Sequence, residues 1–250
     1  MDKIASLRLE KQDACQRFLD DHNVTKLTKK LSNIAKDLLL EAWLKADLPL
    51  GDNKNEPLAL IAVGGFGRED LFPFSDVDIL VLLDDTLSEN AVREISPKIE
   101  KFISYCWDLG LEIGSSVRNI SECLEEASKD ITVRTSLLES RLLCGSKRLY
   151  RSFVNRFNLD MDPKSFYQEK LLELRQRHHK YQDTPYSLEP NCKESPGGLR
   201  DLQVILWVTK AANLGSSFND LHKKGLISKR EAVELNRNHK FLQTLRAHLH

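Results

Sequence analysis

Between Leu27 and Leu44 the apolar residues of LTKKLSNIAKDLLLEAWL recur at steps of three and four, the period of a helix buried along one face. Residues 1–48 as a whole read as helical. After the polar break GDNKNEP (51–57) the period changes. LALIAV (Leu58–Val63) is an unbroken apolar run that stops at Gly64-Gly65, as a buried strand does, and Asp76 to Leu83 (DVDILVLL) predicts a second strand. Glu89 to Leu109 predicts a helix in which Pro97 either interrupts the run or marks its true start. Leu111 to Val117 (LEIGSSV) predicts a third strand, so residues 50 to 120 form a strand–turn–strand–helix–strand α/β unit. The remainder reads as helical. Asn119 and Glu122 are spaced to cap one helix, Thr132–Leu143 predicts another, and a longer one is expected from Lys164 to Tyr181. TPYSLEPNCKESPGG (184–198) is rich in turn residues and predicts a loop before a helix from Leu199 to Leu214. Ser228 and Glu231 form a capping-box pair before a last helix whose period still runs at His250, the expectation for a chain that continues. The expected organisation is a helical segment at 1–48, a domain at 49–145 and a helical domain at 146–250.

Composition narrows the classes. The chain has 250 residues, 41% of them hydrophobic, enough for a substantial core. Lys and Arg number 37 and so do Asp and Glu, so the basic excess expected of a protein that grips a nucleic-acid backbone is missing, and no nucleic-acid partner is expected. Five cysteines (15, 106, 123, 144 and 192) are scattered, odd in number and without a C-x-x-C pair. They suggest reduced thiols rather than a disulfide framework or a zinc site. MDKIASLRLEKQDACQRF has no apolar signal region, and no apolar run approaches the ~20 residues of a membrane helix. A cytoplasmic location without membrane contact is the expectation.

The chemistry concentrates in GGFGREDLFPFSDVDILVLL (Gly64–Leu83). Residues two apart on a strand share a face, so Asp76 and Asp78 project together while Val77, Ile79 and Val81 point the other way. Two carboxylates this close to a core repel each other and need a counter-charge. Hard oxygen ligands of this kind suit Mg²⁺, or Mn²⁺, carrying substrate phosphates. The bland reading of D-x-D alone is a solvated strand entrance. Ahead of it, Gly64, Gly65 and Gly67 follow a strand, where glycine lets backbone N–H groups approach a phosphate, and Arg68 adds positive charge. Ser75 reads equally as a phosphate contact or as a turn-holding hydroxyl. The combination places an anion cradle and a metal site at the ends of two neighbouring strands.

This arrangement resembles the nucleotidyltransferase superfamily of the DNA-polymerase-β type, in which a Gly-Gly or Gly-Ser pair precedes D-x-D by about ten residues. GGFGREDLFPFSDVDILVLL is more closely similar to the bacterial PII uridylyltransferase/uridylyl-removing family. WDLGLEIGSSVRNISECLEEASKDITVRTSLLESRLLCG (Trp107–Gly145) and EPNCKESPGGLRDLQVILWV (Glu189–Val208) resemble that family's later blocks. The resemblance implies an α+β fold: a small mixed sheet with flanking helices, then a helical domain. It implies transfer of UMP from UTP to a tyrosine of the PII signalling protein with release of pyrophosphate. Asp76, Asp78 and Glu112 would be the catalytic and metal-binding carboxylates, and Gly64, Gly65, Arg68 and Ser75 would bind the nucleotide. One departure stands out, because the family's LE-x-G-H-S-V-R has Ser115 here in place of its histidine. Its hydrolase domain is marked by a His-Asp doublet, which this sequence lacks, and its C-terminal glutamine-sensing domains would lie beyond residue 250.

Other charged residues have ordinary readings beside their functional ones. Arg200 and Asp201 in PGGLRD either support the nucleotide site or fix a loop-to-helix junction, the second being favoured. Lys193 is a candidate phosphate contact, and His178-His179 reads as a solvated helix face. Two alternatives remain: an adenylyltransferase of the glutamine synthetase-modifying type, and a non-catalytic nucleotide-binding regulatory module, against which the intact D-x-D argues.

Overall fold

A computed structural model describes residues 3–51, 56–184 and 191–250. Most of the predicted polar break and part of the loop at 184–198 lie outside the described residues. Two compact units emerge, Met1–Leu159 and Asp160–His250. In the first, α1 (Lys3–Asp21) and α2 (Val24–Lys45) precede β1 (Leu58–Ala62), the short α3 (Gly64–Gly67) and β2 (Val77–Leu83). Then come α4 (Glu89–Asp108), β3 (Ile113–Asn119), α5 (Ile120–Lys129), α6 (Ile131–Leu138), β4 (Arg141–Gly145) and α7 (Lys147–Asp160). The second unit holds α8 (Pro163–Lys180), α9 (Leu199–Ala211), α10 (Phe218–Lys223) and α11 (Lys229–Leu249).

The sheet is mixed, in the order β3-β2-β1-β4. β1 runs antiparallel to β2, with Leu58 opposite Leu83 and Ala62 opposite Ile79. β3 lies parallel to β2, Val77 opposite Ile113 and Asp78 opposite Gly114, and α4 supplies the crossover that a parallel pair requires. β1 is buried at every residue, which explains its uninterrupted apolar sequence. On one face α2 packs along its three- and four-step stripe. Trp43, fully buried, stands edge-on to Phe102 of α4 at 5.1 Å and donates its indole N–H to Pro49 O at 2.9 Å. Burying side chains of this size contributes about 1.5–3 kcal/mol each.

Three expectations change. The segment 132–143 is not one helix: α6 stops at Leu138, and Arg141–Gly145 forms the edge strand β4 against β1. The part beyond residue 120 is therefore not all helical. A short apolar run cannot be assigned to helix or strand by period alone, and here pairing with β1 decides it. The third strand begins at Ile113, so Glu112 lies just before it rather than on it. α4 begins at Glu89, capped by Ser88, and continues through Pro97. Pro97 and Arg93, the residue whose carbonyl loses its helical partner, are both exposed to water. The two capping boxes are present as predicted, Asn119 with Glu122 and Ser228 with Glu231.

In the second unit Asp162 caps α8 through the amides of Lys164 and Ser165, with Pro163 at the first helical position. Phe166, Trp207 and Phe218 are buried there. Lys170, 1% exposed, pairs with Glu173 and lies 4.6 Å from the centre of the Trp207 ring. No helix among the described residues is long and apolar enough to cross a membrane.

Candidate active site

The chain leaves β1 through Val63, whose N–H donates to Asp78 O at 3.1 Å. This bond ties the start of the glycine segment to the second aspartate of D-x-D. Gly64 then takes φ +57°, a left-handed conformation that glycine adopts without steric cost. The expected glycine turn is a single helical turn: Gly67 N donates to Val63 O at 3.0 Å and Arg68 N to Gly64 O at 3.2 Å. The first N–H groups of such a turn have no carbonyl within the turn to bond.

The Asp78 carboxylate sits between two glycines. A Cβ on Gly64 would lie 3.3 Å from Asp78 Oδ2, and one on Gly114 only 2.4 Å from Oδ1. The parallel register explains the second contact, since partners across β2 and β3 project to the same face. Asp78 is half-buried and Asp76, at the strand entrance, is exposed. Glu112 is exposed too; its carbonyl accepts from Val77 N at 2.8 Å, which brings its backbone alongside the start of β2. Among the described residues no three His, Cys, Asp or Glu side chains gather as a metal-holding group, so Asp76, Asp78 and Glu112 neighbour one another along two strand starts without converging.

Arg68 and Ser75 have internal partners. Arg68 Nη1 donates to Glu139 Oε2 at 3.1 Å, and its Nη2 lies 3.7 Å from Asp70 Oδ2. Glu139 is only 5% exposed, so this guanidinium serves a buried carboxylate. Ser75 Oγ accepts from Phe72 N at 3.2 Å, the turn-holding member of its two readings. Ser115 pairs with Ile79 rather than with Asp78, which by alternation puts it on the opposite face from the Asp78 carboxylate. The missing histidine therefore falls on that opposite face. A cavity of about 130 Å³ is lined by Leu31, Ile34, Leu38, Phe72, Ser75 and Glu112.

The sequence reading missed Gly114, Ser136, whose Oγ would lie 3.3 Å from a Cβ on Gly64, Glu139 and Arg141. Assigning 132–143 to a helix hid the last three, because it placed them on a helix surface rather than beside the glycine turn. The close glycine pair across a parallel register left no signal until the third strand had its true start. Burial pushes the thiols of Cys106, Cys123 and Cys144 up to about 12, so none of these is an activated nucleophile.

In the second unit, PGGLRD is a junction held by charge. Asp201 Oδ2 accepts from Gly197 N at 2.7 Å, and Asp201 Oδ1 accepts from Arg177 Nη2 at 2.7 Å. His178 Nε2 lies 3.0 Å from both carboxylate oxygens, so His178 is bonded to Asp201 rather than standing on a solvated face. Burial pushes the Asp201 carboxyl up, but His178, Arg177 and the Gly197 N–H outweigh it and hold it below the usual range. Arg200 Nη2 donates to Glu194 Oε1 at 3.1 Å, and Lys193 Nζ is 3.6 Å from the same oxygen.

Comparison with known proteins matches both parts of the chain. Residues 51–139 match the nucleotidyltransferase domain family, and residues 165–250 match the family described as GlnD PII-uridylyltransferase. A bifunctional uridylyltransferase/uridylyl-removing enzyme of Cupriavidus metallidurans is 54% identical over 244 residues, which is 98% of this chain and 27% of that protein. The enzyme of that name from Burkholderia thailandensis is 54% identical over 246 residues, 98% of this chain and 28% of its own length. The chain thus spans little more than a quarter of the length of these relatives. With a nucleotidyltransferase domain on its mixed sheet and this identity across almost its whole length, the chain belongs to the GlnD PII-uridylyltransferase family.

Proposed function

We propose that this chain transfers UMP from UTP to a tyrosine hydroxyl of the PII signalling protein, releasing pyrophosphate. The observation that carries the reading is the Asp78 carboxylate lodged between Gly64 and Gly114, with Asp76 two residues before it at the entrance of β2. Glycine on both sides lets the backbone of the turn and of β3 approach this carboxylate closely. The relatives named above are uridylyltransferases, which supports the choice of nucleotide.

The donor chemistry suits a hard divalent cation: carboxylate oxygens of exposed Asp76 and half-buried Asp78, two residues apart at the start of β2. Asp76 and Asp78, with Glu112 as the third carboxylate, would hold Mg²⁺ or Mn²⁺. When bound, the cation neutralises triphosphate charge and stabilises the charge that develops during transfer. The chain's own residues do the rest. The N–H groups of Gly64 and Gly65 orient the phosphates, and Ser75 holds the turn that delivers Asp76 to the strand. Arg68, braced by Glu139 and Asp70, contributes positive potential beside the glycine turn. The phenolic oxygen forms a bond to the α-phosphorus in line as the bond from that phosphorus to the pyrophosphate oxygen breaks. The phenolic proton passes to solvent and pyrophosphate departs.

The test is incubation of the chain with labelled UTP or ATP, Mg²⁺ and PII protein, beside an Asp76→Asn/Asp78→Asn double variant. Label from UTP on PII, absent with the variant, is the expected result. Label from ATP alone would replace the reading with the adenylyltransferase alternative. Nucleotide binding without transfer would leave the regulatory-module alternative in its place.

A further inference from the structure

The glycine turn beside Asp78 is gripped from behind by the start of β4. Arg141 Nε donates to Gly67 O at 3.1 Å and Arg141 Nη2 to Phe66 O at 3.1 Å. Its guanidinium carbon lies 5.5 Å from the centre of the Phe66 ring, and Nη1 is 3.7 Å from Glu69 Oε1. One planar group thus takes the two carbonyls that end the α3 turn, stacks near its aromatic residue and reaches the next acidic side chain. Arginine alone presents donors in such a fork, whereas lysine is a point charge. The same stretch blocks the turn sterically, since a Cβ on Gly67 would fall 1.9 Å from Glu139 O. Glu69 is held at φ +62°, a conformation a glutamate adopts only when its surroundings impose it. The turn is also tied to the reactive side: Val63 N bonds Asp78 O, and Gly64 abuts the Asp78 carboxylate.

We propose that Arg141 is a positioning residue for nucleotide transfer, fixing through the Phe66 and Gly67 carbonyls where the Gly64–Gly65 amides stand relative to Asp78. The inference rests on the functional reading above. Arg141 touches neither Asp76 nor Asp78 in any described contact; its effect is relayed by the backbone of one helical turn. Glu139 helps through Arg68, so the Glu139–Arg141 segment is a single brace.

The test compares Arg141→Gln and Arg141→Lys with the unsubstituted 250-residue chain. It measures thermal unfolding, backbone amide exchange at Gly67 to Asp70 without nucleotide, and the KM for UTP and kcat for transfer to PII. Arg17→Gln, which removes an exposed ion pair to Asp13 on α1, serves as control. Losing two hydrogen bonds from a charged donor is expected to raise KM about tenfold or more, with kcat changed less. The 67–70 amides should exchange faster while the melting temperature stays near that of the control. Arg141→Lys should recover part of the loss. A folded Arg141→Gln protein with unchanged exchange and unchanged KM overturns the inference while leaving the transferase reading intact. If the unsubstituted chain transfers nothing and the exchange effect is still present, the transferase reading fails, and Arg141 reduces to a structural clamp, which overturns the inference as well.

Discussion

The Asp78 site and the Asp201 junction are built from the same materials, glycines followed by charged residues, and end in different surroundings. Asp201 is ringed by donors: Arg177, His178 and the Gly197 amide all meet its carboxylate. Asp78 is bounded by the backbone of Gly64 and Gly114, with exposed Asp76 before it. A carboxylate whose surroundings already supply positive charge is a structural fastener. Asp78 stands against glycine backbone with a second carboxylate two residues away, and two carboxylates so close to a core call for a counter-charge. Motif content alone does not separate the two; the company each carboxylate keeps does.

The sharpest way to break this comparison is Asp78→Asn. If Asp78 is the functional carboxylate, transfer should fall at least about 100-fold while the far-ultraviolet circular dichroism and melting temperature hold. Normal turnover would end the distinction between the two sites. Next is Gly114→Ala, whose methyl would sit 2.4 Å from Asp78 Oδ1. The carboxylate must shift, and a drop in transfer of about tenfold or more is expected, because small misplacement at a reacting centre is costly. Unchanged kinetics would show that Asp78 has room to spare. Gly67→Ala presses on Glu139 O at 1.9 Å, and overpacking of this kind should cost about 1–3 kcal/mol in urea unfolding.

Asp201→Asn should do the reverse of Asp78→Asn. It removes the charge that Arg177 and His178 share, destabilising the protein by about 1–3 kcal/mol, without the large kinetic defect of the Asp78 variant. The pH dependence sharpens this. Because the Asp201 carboxyl is held below its ordinary value when folded, its contribution is present above the unfolded value of about 3.9. That contribution is lost as pH falls through the lower folded value. The stability gap between the unsubstituted protein and Asp201→Asn should be full near neutrality and close in strong acid. A gap that widened on acidification would contradict the assigned direction.

Much of the fold was legible because burial leaves a period in the chain. α2 shows one, β1 and β2 show instead the short unbroken apolar runs of covered strands, and the Asn119 and Ser228 caps need only local spacing. β4 was not legible: its residues are only partly covered, so its sequence carries no clear strand alternation, and its identity depends on hydrogen bonds to β1, some 80 residues earlier. His178 was misread for a related reason, since its partner Asp201 lies 23 residues away on another helix.

The sequence by itself placed a glycine turn after β1 and two aspartates at the start of β2, because apolar runs and glycine's backbone freedom are local properties. It also carried the family likeness, since 54% identity over 98% of the chain is a property of residue order. Only the tertiary structure decided which residues stand behind the turn. It set Gly114 opposite Asp78 through the β2–β3 register, gave Arg68 to buried Glu139, and placed Arg141 on the carbonyls of Phe66 and Gly67. These contacts join residues 36 to 75 positions apart, and no local pattern encodes which distant strand closes a sheet.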